Sequence, residues 1–120
     1  MTQQCLPKDI TIRPVQGRAH VSYDGAEIGS SLEALELDEP GHPLRIYFPL
    51  EAIQPGILER SETRTTCPYK GEAHYYTIKT ATATGVDQAW YYPDPCPQVE
   101  AIRDYVAFWG DRVEHSTSEV

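Results

Sequence analysis

Apolar and polar residues alternate along much of this chain with the two-residue period of a strand. Ala19, Val21 and Tyr23 form one such run. It leads into Asp24-Gly25, a dipeptide suited to the positive φ angles of a tight hairpin turn, and 26–29 return as the partner strand. Two patterns compete over 30–37. Ser30 and Glu33 have the spacing of a capping box, whereas Leu35 and Leu37 flanking Glu36 keep the strand period, which is the favoured reading. Pro40-Gly41-His42-Pro43 breaks the chain in a turn. Leu44-Arg45-Ile46-Tyr47-Phe48 is β-branched and aromatic, which predicts a short strand entering the core, followed by one helical turn over 49–53. Further strands are expected at 57–59, 73–79 and 87–92. In 99–113, Val99, Ile102, Val106 and Trp109 fit a helical period while Val106 and Phe108 fit a strand, so a helical turn at 99–102 and then a final strand are expected. The sum is a mainly β, mostly antiparallel domain of short strands and frequent turns.

A length of 120 residues suits one domain, expected over 10–115, with flexible ends at 1–9 and 116–120. The mean hydropathy of -0.49 and the lack of any apolar run near ~18 residues exclude a membrane-spanning helix. The start, Met1-Thr2-Gln3-Gln4-Cys5, has no basic region leading into an apolar stretch, so no secretory signal is expected. A formal charge of -8 with scattered basic residues opposes phosphate backbones and anionic lipid, so neither nucleic acid nor membrane is an expected partner. Three cysteines, Cys5, Cys67 and Cys96, make a poor disulfide framework that leaves at least one thiol unpaired, and a cytoplasmic location is expected. His42 and His74 with Cys67 and Cys96 lack the short ligand spacing of structural zinc, so no metal and no cofactor are expected.

The densest chemistry is Cys67-Pro68-Tyr69-Lys70-Gly71, which places a thiol, a phenol and an amine in a constrained loop beside the strand at 73–79. Its echo is Ala89-Trp90-Tyr91-Tyr92-Pro93-Asp94-Pro95, an aromatic strand running into a proline-locked turn. A Lys70 ammonium close by would favour the Cys67 thiolate and make it a nucleophile, whereas burial would leave it inert. Lys70 either binds an anion as a point charge or is a surface lysine before a turn glycine. Tyr75 and Tyr76 must face opposite ways on a strand, and Trp90 shares a face with Tyr92. Asp94 either accepts backbone hydrogen bonds or acts as a base. A Cys67–His74 catalytic pair needs a contact that their separation neither grants nor forbids.

Several blocks taken in order resemble the small bacterial and fungal proteins known as DUF427. They are Tyr47-Phe48-Pro49; Thr66-Cys67-Pro68-Tyr69-Lys70-Gly71 with Tyr75; Ala89-Trp90 with Tyr92 and Pro95; and Ile102, Phe108 and Val113. The resemblance implies a β-tent fold similar to that of methionine sulfoxide reductase B, in which two antiparallel sheets lean together. Many proteins of that wider fold hold zinc on two Cys-x-x-Cys pairs, which this sequence lacks. The family is also described as nucleotidyltransferase-like, yet no Gly-Ser motif with paired aspartates and no phosphate-cradling glycine loop is present. The expected function is small-molecule binding in a pocket formed by Tyr47, Tyr75, Trp90, Tyr92 and Asp94. Catalysis by Cys67, Tyr69 and Lys70 is its stronger form. The competing expectations are a noncatalytic ligand-binding or protein-interaction module and a purely structural subunit. Reaction class, ligand and oligomeric state stay open.

Overall fold

Asp24 and Gly25 take the positive φ values, 52° and 83°, that a two-residue hairpin turn demands, and Tyr23 sits opposite Ala26 across it. A non-glycine residue at Gly25 would be strained there. The computed structural model describes residues 3–120. In chain order its strands are β1 (Thr11–Pro14), β2 (Arg18–Tyr23), β3 (Ala26–Ser31), β4 (Leu35–Asp38), β5 (Arg45–Pro49), β6 (Leu58–Cys67), β7 (Gly71–Lys79), β8 (Thr84–Tyr91), β9 (Tyr105–Phe108) and β10 (Val113–Ser118). Two short 3-10 segments, Leu50–Ala52 and Pro97–Ile102, interrupt them.

The strands form two antiparallel sheets, one ordered β1-β4-β5-β9-β8-β7-β6 and the other β10-β2-β3. Strand alternation divides the apolar residues of the larger sheet between its two faces. Phe48, Tyr76, Ile78, Ala89, Val106 and Phe108 pack with Ala19, Val21, Tyr23 and Ile28 of the smaller sheet to make the core between the sheets. Phe48 and Phe108 meet there edge to face at 6.1 Å. The opposite face carries Leu37, Tyr47, Ala73, Tyr92 and Ala107, covered by Cys96, Val99 and Ile102 from the second 3-10 segment and its approach. A slip of one residue in register would exchange the two sets, so burial on both faces fixes the pairing.

The expected hairpin, the strands around 35–37 and 44–48 and the helical turns near 49–53 and 99–102 are all present. The C-terminal part differs. It holds two strands, β9 and β10, which belong to different sheets, where one final strand was expected, and β10 pairs as far as Ser118 with Arg18. The strand at 57–59 is the start of β6, a ten-residue edge strand exposed along most of its length. It has almost no apolar alternation to read, because neither face is deeply buried. β1 lies at the other edge and was hidden for the same reason.

One thiol stays unpaired as expected, but the poor disulfide framework is corrected. Cys5 and Cys96, 91 residues apart, are joined in a disulfide, and Cys67 alone is free. No short spacing announces this pair, because the folded chain brings the N-terminal segment back across the second 3-10 segment. The disulfide also removes the thiol count as an argument for a reducing compartment. Among the described residues, no helix is long and apolar enough to cross a membrane.

Candidate functional site

On the face of the large sheet turned away from the small one, register builds a row across four strands. Tyr75 of β7 lies beside Trp90 of β8, Trp90 beside Ala107 of β9, and Ala107 beside Tyr47 of β5. Ala107 contributes only a methyl between two large aromatic residues and is fully buried beneath them. The Trp90 indole spans the gap and donates from Nε1 to the Tyr47 hydroxyl at 3.3 Å. Above the row opens a cavity of about 320 Å³, lined by Tyr47, Tyr75, Trp90 and Tyr92 together with Leu37, Glu39, His42, Pro43, Arg45, Lys70, Asp87 and Trp109. The Tyr75 hydroxyl is tied to Thr65 Oγ1 at 2.8 Å. Burial pushes the Tyr47 phenol well above the usual range despite the Trp90 hydrogen bond, and burial pushes the Tyr92 phenol up too. Both are therefore neutral hydroxyl groups at physiological pH.

The polar end of the cavity is a buried carboxylate shared by two ammonium groups. Glu39 is only 5% exposed in its side chain, and its Oε1 accepts from Lys70 Nζ while Oε2 accepts from Lys8 Nζ at 2.7 Å. His42 Nε2 stands 3.7 Å from the same carboxylate. Burial raises the Glu39 carboxyl, but the hydrogen bonds from Lys70 and Lys8 outweigh it and hold the group below the usual carboxylate range.

Lys70 is held in place by its backbone. The turn at 68–70 closes the β6–β7 hairpin, with Cys67 opposite Gly71. Lys70 O accepts from Cys96 N at 2.8 Å, Pro68 O from Leu6 N at 2.7 Å, and Tyr69 O from Gln98 Nε2 at 2.8 Å. Gly71, at φ 119°, lets the Asp94 carbonyl and the Gln3 side chain approach where a Cβ would meet them at 3.1 and 2.9 Å. The close approach that its glycine permits is thus by the protein's own chain. The disulfide ties together the two segments that grip this turn.

Five of the residues singled out in the sequence, Tyr47, Lys70, Tyr75, Trp90 and Tyr92, line the cavity; Cys67, Tyr69 and Asp94 do not. Cys67 is the last residue of β6, half-buried at the hairpin end. Tyr69 lies under the Lys8 ammonium, 4.7 Å from its ring centre. Asp94 is exposed, and its carboxylate is 3.7 Å from the Arg103 guanidinium. The Cys67–His74 pair does not form: Cys67 pairs with Gly71 and His74 with Arg64, which sends their side chains to opposite faces of the hairpin, and His74 Nε2 meets Glu72 Oε1 at 2.9 Å. The Lys70 ammonium expected to act on Cys67 is bonded to Glu39.

Glu39, Arg45 and Trp109 line the cavity without having stood out in the sequence, although a signal for each is present. The period of two that buries Leu35 and Leu37 on one face continues to Glu39, which is a charged residue on an apolar side. The same period carries Tyr47 back to Arg45 and Ala107 forward to Trp109.

The family model described as "Domain of unknown function (DUF427)" matches residues 11–119 of the chain. No curated protein matches it.

Proposed function

The chain belongs to the DUF427 family, and we propose that it binds a small molecule in the cavity walled by Tyr47, Tyr75, Trp90 and Tyr92. The observation that carries this reading is the pairing of that aromatic wall with an almost buried Lys70–Glu39 ion pair around about 320 Å³ of space. A purely structural face would gain more by filling the hollow with apolar side chains, since desolvating an ion pair is costly. The volume is near the lower end of ordinary ligand sites, roughly 300 to 1,000 Å³, and its mix of apolar walls and a few polar groups is typical of them. The formal charge of -8 favours a small ligand over nucleic acid.

The Trp90 indole N–H, hydrogen-bonded to Tyr47 inside the wall, is a natural reporter. Titration with a panel of small aromatic and heteroaromatic molecules, followed by NMR, is expected to shift that resonance saturably for some members, and Tyr75→Ala is expected to weaken their binding about tenfold. A panel that leaves Trp90 and Trp109 unperturbed at millimolar concentration would defeat the reading.

A second reading adds catalysis by Cys67, and one observation favours it. Cys67 lies two positions beyond Thr65 on β6, whose hydroxyl meets that of Tyr75, so strand parity gives the free thiol the same sheet face as the aromatic wall. On this reading native Cys67 is alkylated at a measurable rate near neutral pH, and a cavity ligand slows the reaction. Protection of Cys67 until the protein unfolds would leave binding alone.

A further inference from the structure

Among the described residues, Arg45 is a cavity-lining cation that meets no counterion. Among the described residues its guanidinium donates no hydrogen bond and meets no carboxylate, and its buried Nη1 is without a partner. The group lies over two indoles instead. Its central carbon lies 4.1 Å from the Trp109 ring centre and 5.5 Å from that of Trp90. The chain leaves its N–H groups unpaired, and a guanidinium carries the planar fork that matches an oxyanion.

We propose that the cavity takes a small planar carboxylate, with its carboxylate on Arg45 and its flat body against Trp90 and the tyrosine wall. The proposal rests on the small-molecule reading above and adds the class of ligand. The local charge favours a monoanion. Lys8 and Lys70 are bonded to Glu39, and the remaining lining carboxylate, Asp87, accepts from the Thr63 hydroxyl at 2.6 Å. Lys8, Lys70 and Arg45 against Glu39 and Asp87 leave an excess of one positive charge. A single carboxylate balances that excess, whereas a phosphate dianion would exceed it beside two carboxylates that already line the wall. Trp109, 55% exposed at the rim, then covers the ligand on the side of Arg45 that faces solvent.

Benzoate, the isosteric neutral amide benzamide and the dianion phenyl phosphate separate these terms when titrated against the full chain by calorimetry and by Trp90 indole NMR. Benzoate is expected to bind at least about tenfold more tightly than benzamide, and more tightly than phenyl phosphate. Arg45→Met is expected to abolish the preference for benzoate over benzamide. Arg45→Lys, which keeps the charge but loses the fork and much of the stacking, is expected to recover only part of it. Equal binding of benzoate and benzamide to the native protein would overturn the anion proposal and leave the small-molecule reading intact. Tighter binding of phenyl phosphate would overturn the choice of a monoanion. Failure of all three probes to perturb Trp90 would count against both readings.

Discussion

Replacing Cys5 by serine is expected to lower the free energy of unfolding by about 4.7 kcal/mol, the chain-entropy value for opening a loop of roughly a hundred residues. The disulfide closes a separation of 91 residues. Cys5 is exposed, so the serine buries no new polar group, and Cys96 remains in the core as a small thiol. The effect should reach the cavity, because residues 3–9 are part of its support. Leu6 N donates to Pro68 O, Gln3 Nε2 to the Asp94 carbonyl at 2.9 Å, and Lys8 Nζ to Glu39. Guanidinium unfolding followed with and without a reductant measures both forms. The wild type under reducing conditions should approach the variant, and the variant should not respond. Coincident curves for wild type and variant would show that the cross-link contributes nothing.

Glu39→Gln should destabilise the protein by roughly 3 kcal/mol at neutral pH, near the lower end for removing one member of a buried ion pair. The lower end applies because Lys70 and Lys8 keep 12% and 20% of their side-chain exposure, and so part of their hydration. The acid dependence has a defined sign. Burial alone would raise the Glu39 carboxyl, and the bonds from Lys70 and Lys8 bring it below its unfolded value. The unfolded chain therefore takes up the proton first. The stabilisation is complete above the ordinary carboxylate range and is lost as the pH falls through the lowered native value. Urea midpoints of wild type and Glu39→Gln should differ widely at neutral pH and converge in strong acid. A gap that is constant across that range would mean that the carboxylate charge is not what holds Lys70 at the cavity.

Much of the architecture was legible because alternation is a local property. Asp24-Gly25 specifies its turn through backbone sterics alone. Leu35 with Leu37, and Trp90 with Tyr92, declare a shared face because the strand period admits no other arrangement. The family blocks identified a chain whose match runs over 11–119. What escaped the sequence depends on partners distant along the chain. The edge strands β1 and β6 bury too little to leave a pattern, so only their pairing with β4 and β7 defines them. The Cys5–Cys96 bond joins positions that no spacing rule connects.

The candidate site divides in the same way. The aromatic wall follows from residue type and parity, and the chain alone presented Tyr47, Tyr75, Trp90 and Tyr92 as candidates for it. The charge pattern does not follow. In the chain Lys70 stands three positions from Cys67, yet its ammonium is bonded to Glu39, 31 positions away, while among the described residues Arg45 meets no carboxylate. Strand parity is set by bonded geometry and can be read residue by residue. The partner of a charge depends on which side chains the sheet order brings within a few ångströms, and that order, β4-β5-β9-β8-β7, exists only in the folded chain.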